Sequence, residues 1–224
     1  MKIKLGGFLP TTLLDYPGEV ASVLFLPLCN LTCPYCHNPS LVHNETETLL
    51  DIEEITNKIF QRRKVIGGVV ITGGEPTLYQ DLNHYINLFQ SWGLKVKVDT
   101  NGTRPNIIKT LKPDYFAMDL KTSINKYSAL GFNGGNEIVE SLEWLKKSGI
   151  DYEIRTTAAP ILFTKDDLIE MLPLLKGVKK YFITNFRNGD ILNPEYNLNT
   201  PYTKEELEEF ILICKEAGIT CNLR

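Results

Sequence analysis

The sequence predicts an α/β protein built on a parallel sheet. Apolar runs rich in valine, isoleucine, leucine and phenylalanine alternate about six times with segments of helical periodicity. No linker, low-complexity segment or internal repeat interrupts the alternation, so we predict a single domain over 1–224. An open or closed (β/α) barrel and a doubly wound sheet both fit, and both place ligand sites at the carboxyl ends of the strands.

The predicted strands are short apolar runs, and the predicted helices have apolar residues three and four positions apart. The strands cover 19–27, 65–72, 94–100, 114–121, 151–158, 178–186 and 219–223. The helices cover 51–64, 81–93, 104–111, 136–149, 165–177 and 203–218. Thr203 and Glu206 predict a capping box at the start of the last helix. Pro173 is expected to kink or shorten the helix that contains it.

Composition and charge narrow the class of protein. The chain is 43% hydrophobic and 23% charged, with a formal net charge of −3, so bulk nucleic-acid binding is not expected. No apolar run approaches the ~18 residues that span a bilayer, and the first residues do not resemble a signal peptide. We therefore expect a cytoplasmic protein with no membrane partner, whose thiols stay reduced.

Three of the five cysteines fall in the segment PLCNLTCPYCHNP, directly after the first predicted strand. Cys29, Cys33 and Cys36 have the spacing C-x3-C-x2-C, one thiolate short of a closed zinc site. They suit a [4Fe–4S] cluster with one iron left open for a substrate or cofactor. Zinc completed by His37 is a weak alternative, because adjacent Cys36 and His37 would bind one zinc only in strained geometry. Unrelated thiols are the third alternative, and Cys214 and Cys221 are predicted to be buried core thiols.

Two glycine-containing motifs follow the next two strands. In ITGGEPT, Gly73 and Gly74 let the backbone approach a ligand closely, although a simple turn before Pro76 would look similar. In VDTNGT, Asp99 lies at the strand end before an Asn-Gly turn signal, and an ordinary strand-to-helix turn is again the alternative.

Charged residues mark two later strands. In FAMDLKT, Asp119 and Lys121 should point to one side of the sheet, where a lysine suits a carboxylate; a surface ion pair is the alternative. Arg155 lies within an apolar strand and needs an anionic partner, either a cofactor carboxylate or an acidic side chain. The long, Asn-rich loop over 184–202 is expected to act as a lid.

The cysteine spacing, with the aromatic Tyr35 before the last cysteine, resembles the radical S-adenosylmethionine (SAM) enzymes. The resemblance implies a partial (β/α)6 TIM-like barrel of the radical SAM type, which favours the barrel over the doubly wound sheet. It also implies that the methionyl amine and carboxylate of SAM bind the open iron. An electron from the reduced cluster then cleaves SAM, and the resulting 5′-deoxyadenosyl radical abstracts a hydrogen atom, so no catalytic residue separate from the cluster is implied.

The resemblance also implies that matching positions of this sequence bind the cofactor or a monovalent cation. The positions implied for cofactor binding are Tyr35, Gly73, Gly74, Glu75, Thr100, Asn101, Lys121, Arg155 and Asn185. The positions implied for a monovalent cation are Asp99, Thr100, Met118 and Asp119. Asn185 stands where related activases have a histidine.

The segments TTLLDYPG and CPYCHNP resemble the anaerobic ribonucleotide-reductase activating proteins. This implies an activase that abstracts hydrogen from a backbone glycine of a glycyl-radical enzyme and takes electrons from a low-potential flavodoxin or ferredoxin. One alternative is a radical enzyme acting on a small molecule, similar to the deazaguanine-forming synthases. The other is a non-catalytic zinc or iron–sulfur binding protein, which would not need the Gly-Gly-Glu motif or Lys121.

Overall fold

The computed structural model describes residues 3–46 and 49–224, which form two compact units. The described residues of the first unit lie within Met1–Asn30, Ser40–Thr100 and Asn106–Phe116. Those of the second unit lie within Leu31–Pro39, Asn101–Pro105 and Ala117–Arg224. The single domain expected from the sequence stays a prediction.

Strands and helices alternate through most of the chain. The strands are β1 (Lys4–Leu5), β2 (Gly7–Thr12), β3 (Ala21–Leu26), β4 (Leu50–Asp51), β5 (Gly68–Gly73), β6 (Lys95–Thr100), β7 (Tyr115–Asp119), β8 (Asp151–Ala158), β9 (Tyr181–Asn185) and β10 (Cys221–Leu223). The α-helices are α1 (Pro39–Val42), α2 (Ile52–Arg62), α3 (Leu82–Ser91), α4 (Pro105–Ile108), α5 (Asn136–Lys147), α6 (Lys165–Leu175) and α7 (Lys204–Glu216). Turns of 3-10 helix cover Pro76–Leu78, Ile124–Leu130 and Pro194–Leu198.

In the first unit, β3, β5 and β6 are parallel neighbours, and β2 pairs antiparallel with the outer side of β3. Leu26 at the end of β3 is in register with Gly73 at the end of β5. Part of the core beneath them is a cluster of Tyr16, Ala21, Val23, Val70 and Tyr115. The cysteine loop and the Gly-Gly-Glu motif therefore leave the sheet side by side.

In the second unit, β7, β8, β9 and β10 are consecutive in the sheet, and β8, β9 and β10 are parallel. Ala158 at the end of β8 is in register with Asn185 at the end of β9. Cys214 on α7 and Cys221 on β10 are both buried, as predicted, and their side chains contact each other. The loops after β7, β8 and β9 leave from strand ends where the sequence predicts ligand sites.

The predicted α/β class with parallel strands is confirmed, while several boundaries were wrong. The helix predicted over 104–111 has only four α-helical residues, Pro105–Ile108. Pro173 lies inside α6, which ends at Leu175 rather than at 177. The capping box of α7 is present, and β2 was missed because its sequence, GFLPTT, lacks an alternating apolar pattern. Among the described residues, no helix is long and apolar enough to cross a membrane.

Candidate active site

The segment that enters the cysteine loop is held by backbone hydrogen bonds within the first unit. Leu28 has a φ of 66°, a left-handed conformation that is costly for a leucine. Its N–H donates to the Leu41 carbonyl at 2.6 Å, and the Cys29 N–H donates to the Val42 carbonyl at 3.2 Å. Helix α1 thus supplies the acceptors that hold the first cysteine of the motif in place.

The Gly-Gly-Glu motif packs directly against that segment. A Cβ on Gly74 would lie 1.9 Å from the carbonyl oxygen of Leu28, and one on Gly73, which has a φ of 116°, would lie 2.4 Å from the nitrogen of Leu26. The Glu75 N–H donates to the same Leu28 carbonyl at 2.8 Å. Both positions require glycine, because a side chain at either one would collide with the backbone of the segment before the cysteines. A simple turn would not require such a close approach.

The side chain of Glu75 fixes the ends of two strands. It is completely buried, and its Oε1 accepts hydrogen bonds from the Thr77 N–H at 3.0 Å and from the Thr77 hydroxyl at 2.6 Å. The Thr100 hydroxyl, at the end of β6, donates to the same oxygen at 2.8 Å. Glu75 therefore holds the motif rigidly beside the residue predicted to join the cofactor site.

Asp99 on β6 already has a cationic partner in the first unit. The ammonium group of Lys97 contacts its Oδ1, and the Lys97 side chain is 2% exposed. Sequence reasoning missed this lysine. The alternation of β6, KVKVDT, puts Lys97 on the same face as Lys95 and Asp99, so the sequence gives no signal that this lysine is buried.

In the second unit, the segment with the other two cysteines is bonded to the loop after β9. The Cys36 N–H donates to the Cys33 carbonyl at 3.0 Å, closing a turn. The Leu192 N–H donates to the Cys36 carbonyl at 2.9 Å, and the Asn193 N–H donates to the Pro34 carbonyl at 2.9 Å. The loop predicted to be a lid thus bonds to the main chain of Cys36 and Pro34.

Tyr35, between those cysteines, is buried, and its ring lies 6.1 Å from that of Tyr196. Its hydroxyl oxygen has no hydrogen-bond partner in the part of the chain that the structure describes. Burial raises the pKa of Tyr35 well above its usual value, with a further contribution from Cys33. A buried hydroxyl that lacks a partner is costly, and a bound ligand or water could satisfy it.

Asp119, Lys121 and Arg155 form one charged group in the second unit. The Arg155 Nε donates to Asp119 Oδ1 at 2.8 Å, and the Lys121 ammonium donates to Oδ2 at 2.9 Å. Burial raises the pKa of Asp119, but the charges of Arg155 and then Lys121 outweigh it and hold that pKa well below its usual value. Burial lowers the pKa of Lys121, but Asp119 outweighs it and holds that pKa above its usual value. Asp119 and Lys121 lie on the same side of the sheet, as their alternation predicted. Of the two partners that the sequence left open for Arg155, the structure shows an acidic side chain, that of Asp119.

The remaining predicted residues of the second unit are placed by local contacts. Asn101 Oδ1 accepts from the Thr103 N–H at 3.1 Å and from its hydroxyl at 2.7 Å, which forms an Asx turn. Met118 is buried, and its side chain fills the space beside Gly102, where a Cβ would meet it at 2.3 Å. Asn185 Nδ2 donates to the Tyr202 carbonyl at 2.7 Å, while its buried Oδ1 lacks a partner among the described residues.

Two buried tyrosines of the second unit, Tyr127 and Tyr196, were not found from the sequence. The Tyr127 hydroxyl accepts from the Lys121 N–H at 3.1 Å, and the Tyr127 side chain is almost fully buried. The ring of Tyr196 packs edge-on against Phe186 at 5.3 Å and lies 6.1 Å from the ring of Tyr35. Nothing in a single sequence separates these tyrosines from ordinary core aromatics.

An iron–sulfur cluster at the three thiols of the cysteine motif stays a prediction from the sequence. Cys29, Cys33 and Cys36 are all free thiols. Within 3–46 and 49–224, no three Cys, His, Asp or Glu side chains are grouped closely enough to hold one ion. A zinc site needs its sulfurs about 2.3 Å from one centre, whereas a [4Fe–4S] cube distributes them over separate irons. The fold is that of an α/β protein, and the three thiols remain the ligands that the sequence predicts for such a cluster.

Comparison with known proteins places this chain in a family. Residues 23–178 match the model described as the radical SAM superfamily. A protein of Methanocaldococcus jannaschii, provisionally named a glycyl-radical enzyme activating enzyme, is 33% identical over 96% of this chain and 93% of its own. The pyruvate formate-lyase-activating enzyme of Clostridium pasteurianum is 26% identical over 83% of this chain and 85% of its own.

A solved structure, that of SuiB from Streptococcus suis bound to S-adenosylmethionine, is also similar. It superposes with a TM-score of 0.66 and 16% identity over 90% of this chain, which spans about half of SuiB. At that identity the likeness concerns the fold, and it is consistent with the predicted partial (β/α)6 TIM-like barrel. The chain belongs to the radical SAM superfamily and is an enzyme of the radical SAM type. Membership supports SAM and an iron–sulfur cluster as its cofactors, and argues against the non-catalytic alternative.

Proposed function

We propose that this enzyme is an activase that generates a glycyl radical in a partner enzyme. The observation that carries the proposal is the relative named an activating enzyme, which matches nearly the whole of both chains. The pyruvate formate-lyase-activating enzyme, similar over more than four fifths of both chains, supports the same class of substrate. The TTLLDYPG and CPYCHNP segments favour an anaerobic ribonucleotide reductase as the partner and a low-potential flavodoxin or ferredoxin as the electron donor.

Different residues of the chain would hold the cluster and SAM. Cys29, Cys33 and Cys36 would hold the cluster, and Gly73 and Gly74 would let the backbone approach SAM. When bound, the cluster and SAM together supply a one-electron reductive cleavage of a carbon–sulfur bond. The polypeptide would position the cluster and SAM relative to each other through backbone contacts and one charged group.

The charged group in the second unit suits an amino-acid carboxylate. Lys121 and Arg155 bring two positive charges to the negative charge of Asp119. Glu153 also lies 4.0 Å from Arg155, but Arg224 pairs with it at 2.7 Å, so the group keeps a net charge of plus one. The side chains of Lys121 and Arg155 are about one fifth exposed, which leaves them within reach of a ligand. A partly desolvated net positive charge attracts an anion more strongly than an exposed lysine does. We therefore assign Lys121 and Arg155 to the methionyl carboxylate of SAM, held in orientation by Asp119.

The test begins with anaerobic reconstitution of the full chain with iron and sulfide. With a chemical reductant, the protein should convert SAM to 5′-deoxyadenosine. With an anaerobic ribonucleotide reductase added, a doublet glycyl signal should appear in electron paramagnetic resonance. A reductase variant with its radical glycine replaced by alanine is the matched control and should give no doublet.

Two outcomes separate the candidate functions. If SAM is cleaved but neither ribonucleotide reductase nor another glycyl-radical enzyme yields the doublet, the activase proposal fails and a small-molecule substrate is favoured. Lys121→Met should weaken SAM binding tenfold or more, corresponding to about 1.4 kcal/mol. Lys146→Met is its control, because Lys146 binds Glu143 on α5 at 2.7 Å and should leave SAM affinity unchanged.

A further inference from the structure

Lys97 on β6 is a buried cation that neither the family comparison nor the proposed reaction assigns. The residue is 1% exposed, and its ammonium contacts the carboxylate of Asp99 two positions along the strand. Its neighbours Val96 and Val98 are fully buried. A lysine is seldom fully buried unless it is paired, so the pair has a role that an apolar residue at position 97 could not fill.

Asp99 is also a position where the resemblance implies a monovalent cation, together with Thr100, Met118 and Asp119. The residues of this chain do not fit such an ion. In the first unit, the ammonium group of Lys97 already pairs with the carboxylate of Asp99. The Thr100 hydroxyl donates its hydrogen bond to Glu75.

The second unit repeats the pattern. Asp119 is bonded by Arg155 at 2.8 Å and by Lys121 at 2.9 Å. Each carboxylate implied for the ion therefore already has a side-chain cation within its own unit. Potassium or sodium at either one would meet like-charge repulsion in a poorly solvated place.

We propose that Lys97 is a built-in replacement for a monovalent cation, and that this enzyme holds Asp99 in place without bound potassium or sodium. An ammonium on a side chain has the same unit charge as the ion and is present at every salt concentration. It also donates directional hydrogen bonds, so it orients Asp99 as well as neutralising it.

The first experiment uses the unaltered chain. Its melting temperature is measured in potassium chloride and in tetramethylammonium chloride at equal ionic strength, and thallium(I) binding is measured by equilibrium dialysis in nitrate salts. We expect equal melting temperatures and no saturable thallium(I) uptake. Potassium-specific stabilisation or saturable thallium(I) binding would overturn the proposal, whatever any variant does.

The second experiment removes the charge with Lys97→Met. This variant should bind thallium(I), and its melting temperature should rise with potassium concentration to a plateau, as linked binding requires. Lys95→Met is the matched control on the same strand: its side chain is 59% exposed and pairs with Glu19, and its loss should create no potassium response.

A folded Lys97→Met variant that ignores potassium would overturn the idea that the lysine stands in for an ion. If the variant does not fold, the unaltered chain decides the matter through its own salt and thallium(I) measurements. Neither readout involves a partner protein or radical chemistry. Failure of the activase proposal would therefore leave this inference standing, and the reverse is also true.

Discussion

Replacing Gly74 with alanine should damage both the stability of the protein and its cluster. The added Cβ would lie 1.9 Å from the Leu28 carbonyl oxygen and 3.2 Å from the Cys29 nitrogen, whereas ordinary contact begins at 3.4 Å. The nearest atoms are backbone, so no side chain can rotate away, and two main-chain segments must separate by about 1.5 Å.

The cost can be worked from that geometry. Overpacking costs about 1–3 kcal/mol, and losing the hydrogen bond from the Glu75 N–H to Leu28 costs about 1 kcal/mol more. We therefore expect Gly74→Ala to lower the free energy of unfolding by about 2–4 kcal/mol. Because Cys29 follows Leu28 directly, iron uptake on anaerobic reconstitution should fall as well.

The assays are urea unfolding of the iron-free chain and iron content after reconstitution. Gly93→Ala is the control: Gly93 has a φ of 77° and open space around its Cβ position. It should lose about 1–2 kcal/mol through the left-handed conformation alone and keep its full iron content. A Gly74→Ala protein within about 0.5 kcal/mol of wild type, with normal iron content, would refute the argument.

Three further predictions concern the second unit. Arg155→Met should lower the free energy of unfolding by about 1–3 kcal/mol in urea titration, because it leaves Asp119 short of one partner in a largely buried place; an unchanged midpoint would contradict this. Burial raises the pKa of Asp167, but hydrogen bonds, first from Lys126, outweigh it and keep that pKa below its usual value. Its contribution to stability is therefore complete above about pH 4 and is lost as the pH falls through the folded pKa, so Asp167→Asn should flatten the acid side of a stability–pH curve. Cys214 and Cys221 should resist alkylation in the native, iron-free chain and react on unfolding, which mass spectrometry would show; labelling at the rate of Cys29 and Cys36, which are partly exposed, would disprove their burial.

The fold was largely predictable because its central strands have a strong local signal. The runs at 19–27 and 65–72 contain buried valine, isoleucine and leucine, and they form β3 and β5 with shifted ends. Strand β2 was not predictable, since Pro10 and two threonines give it no apolar face of its own. It exists because β3 offers an edge for antiparallel pairing, which is a property of the tertiary structure.

The residues of the candidate site were predictable where an unusual residue type or spacing marks them in the sequence. They were not predictable where only tertiary packing brings them to the site. The cysteines, the Gly-Gly-Glu motif and Arg155 are anomalies that a single sequence reveals, and the acidic partner of Arg155 was one of two options left open. The burial of Lys97 was not predictable, because the alternating strand KVKVDT places it on the face of the exposed Lys95. Tyr196 was beyond prediction, because its approach to Tyr35 depends on the path of the long loop after β9.

The left-handed Leu28 has a consequence for how the metal centre is assembled. A conformation that costs about 1–2 kcal/mol persists because hydrogen bonds from its own segment and from Glu75 outweigh that cost. The backbone at Cys29, the proposed cluster ligand that follows, is thus held by the polypeptide itself. Loading the iron should need little reorganisation at this cysteine, and a centre destroyed by oxygen should be rebuilt repeatedly on the same chain.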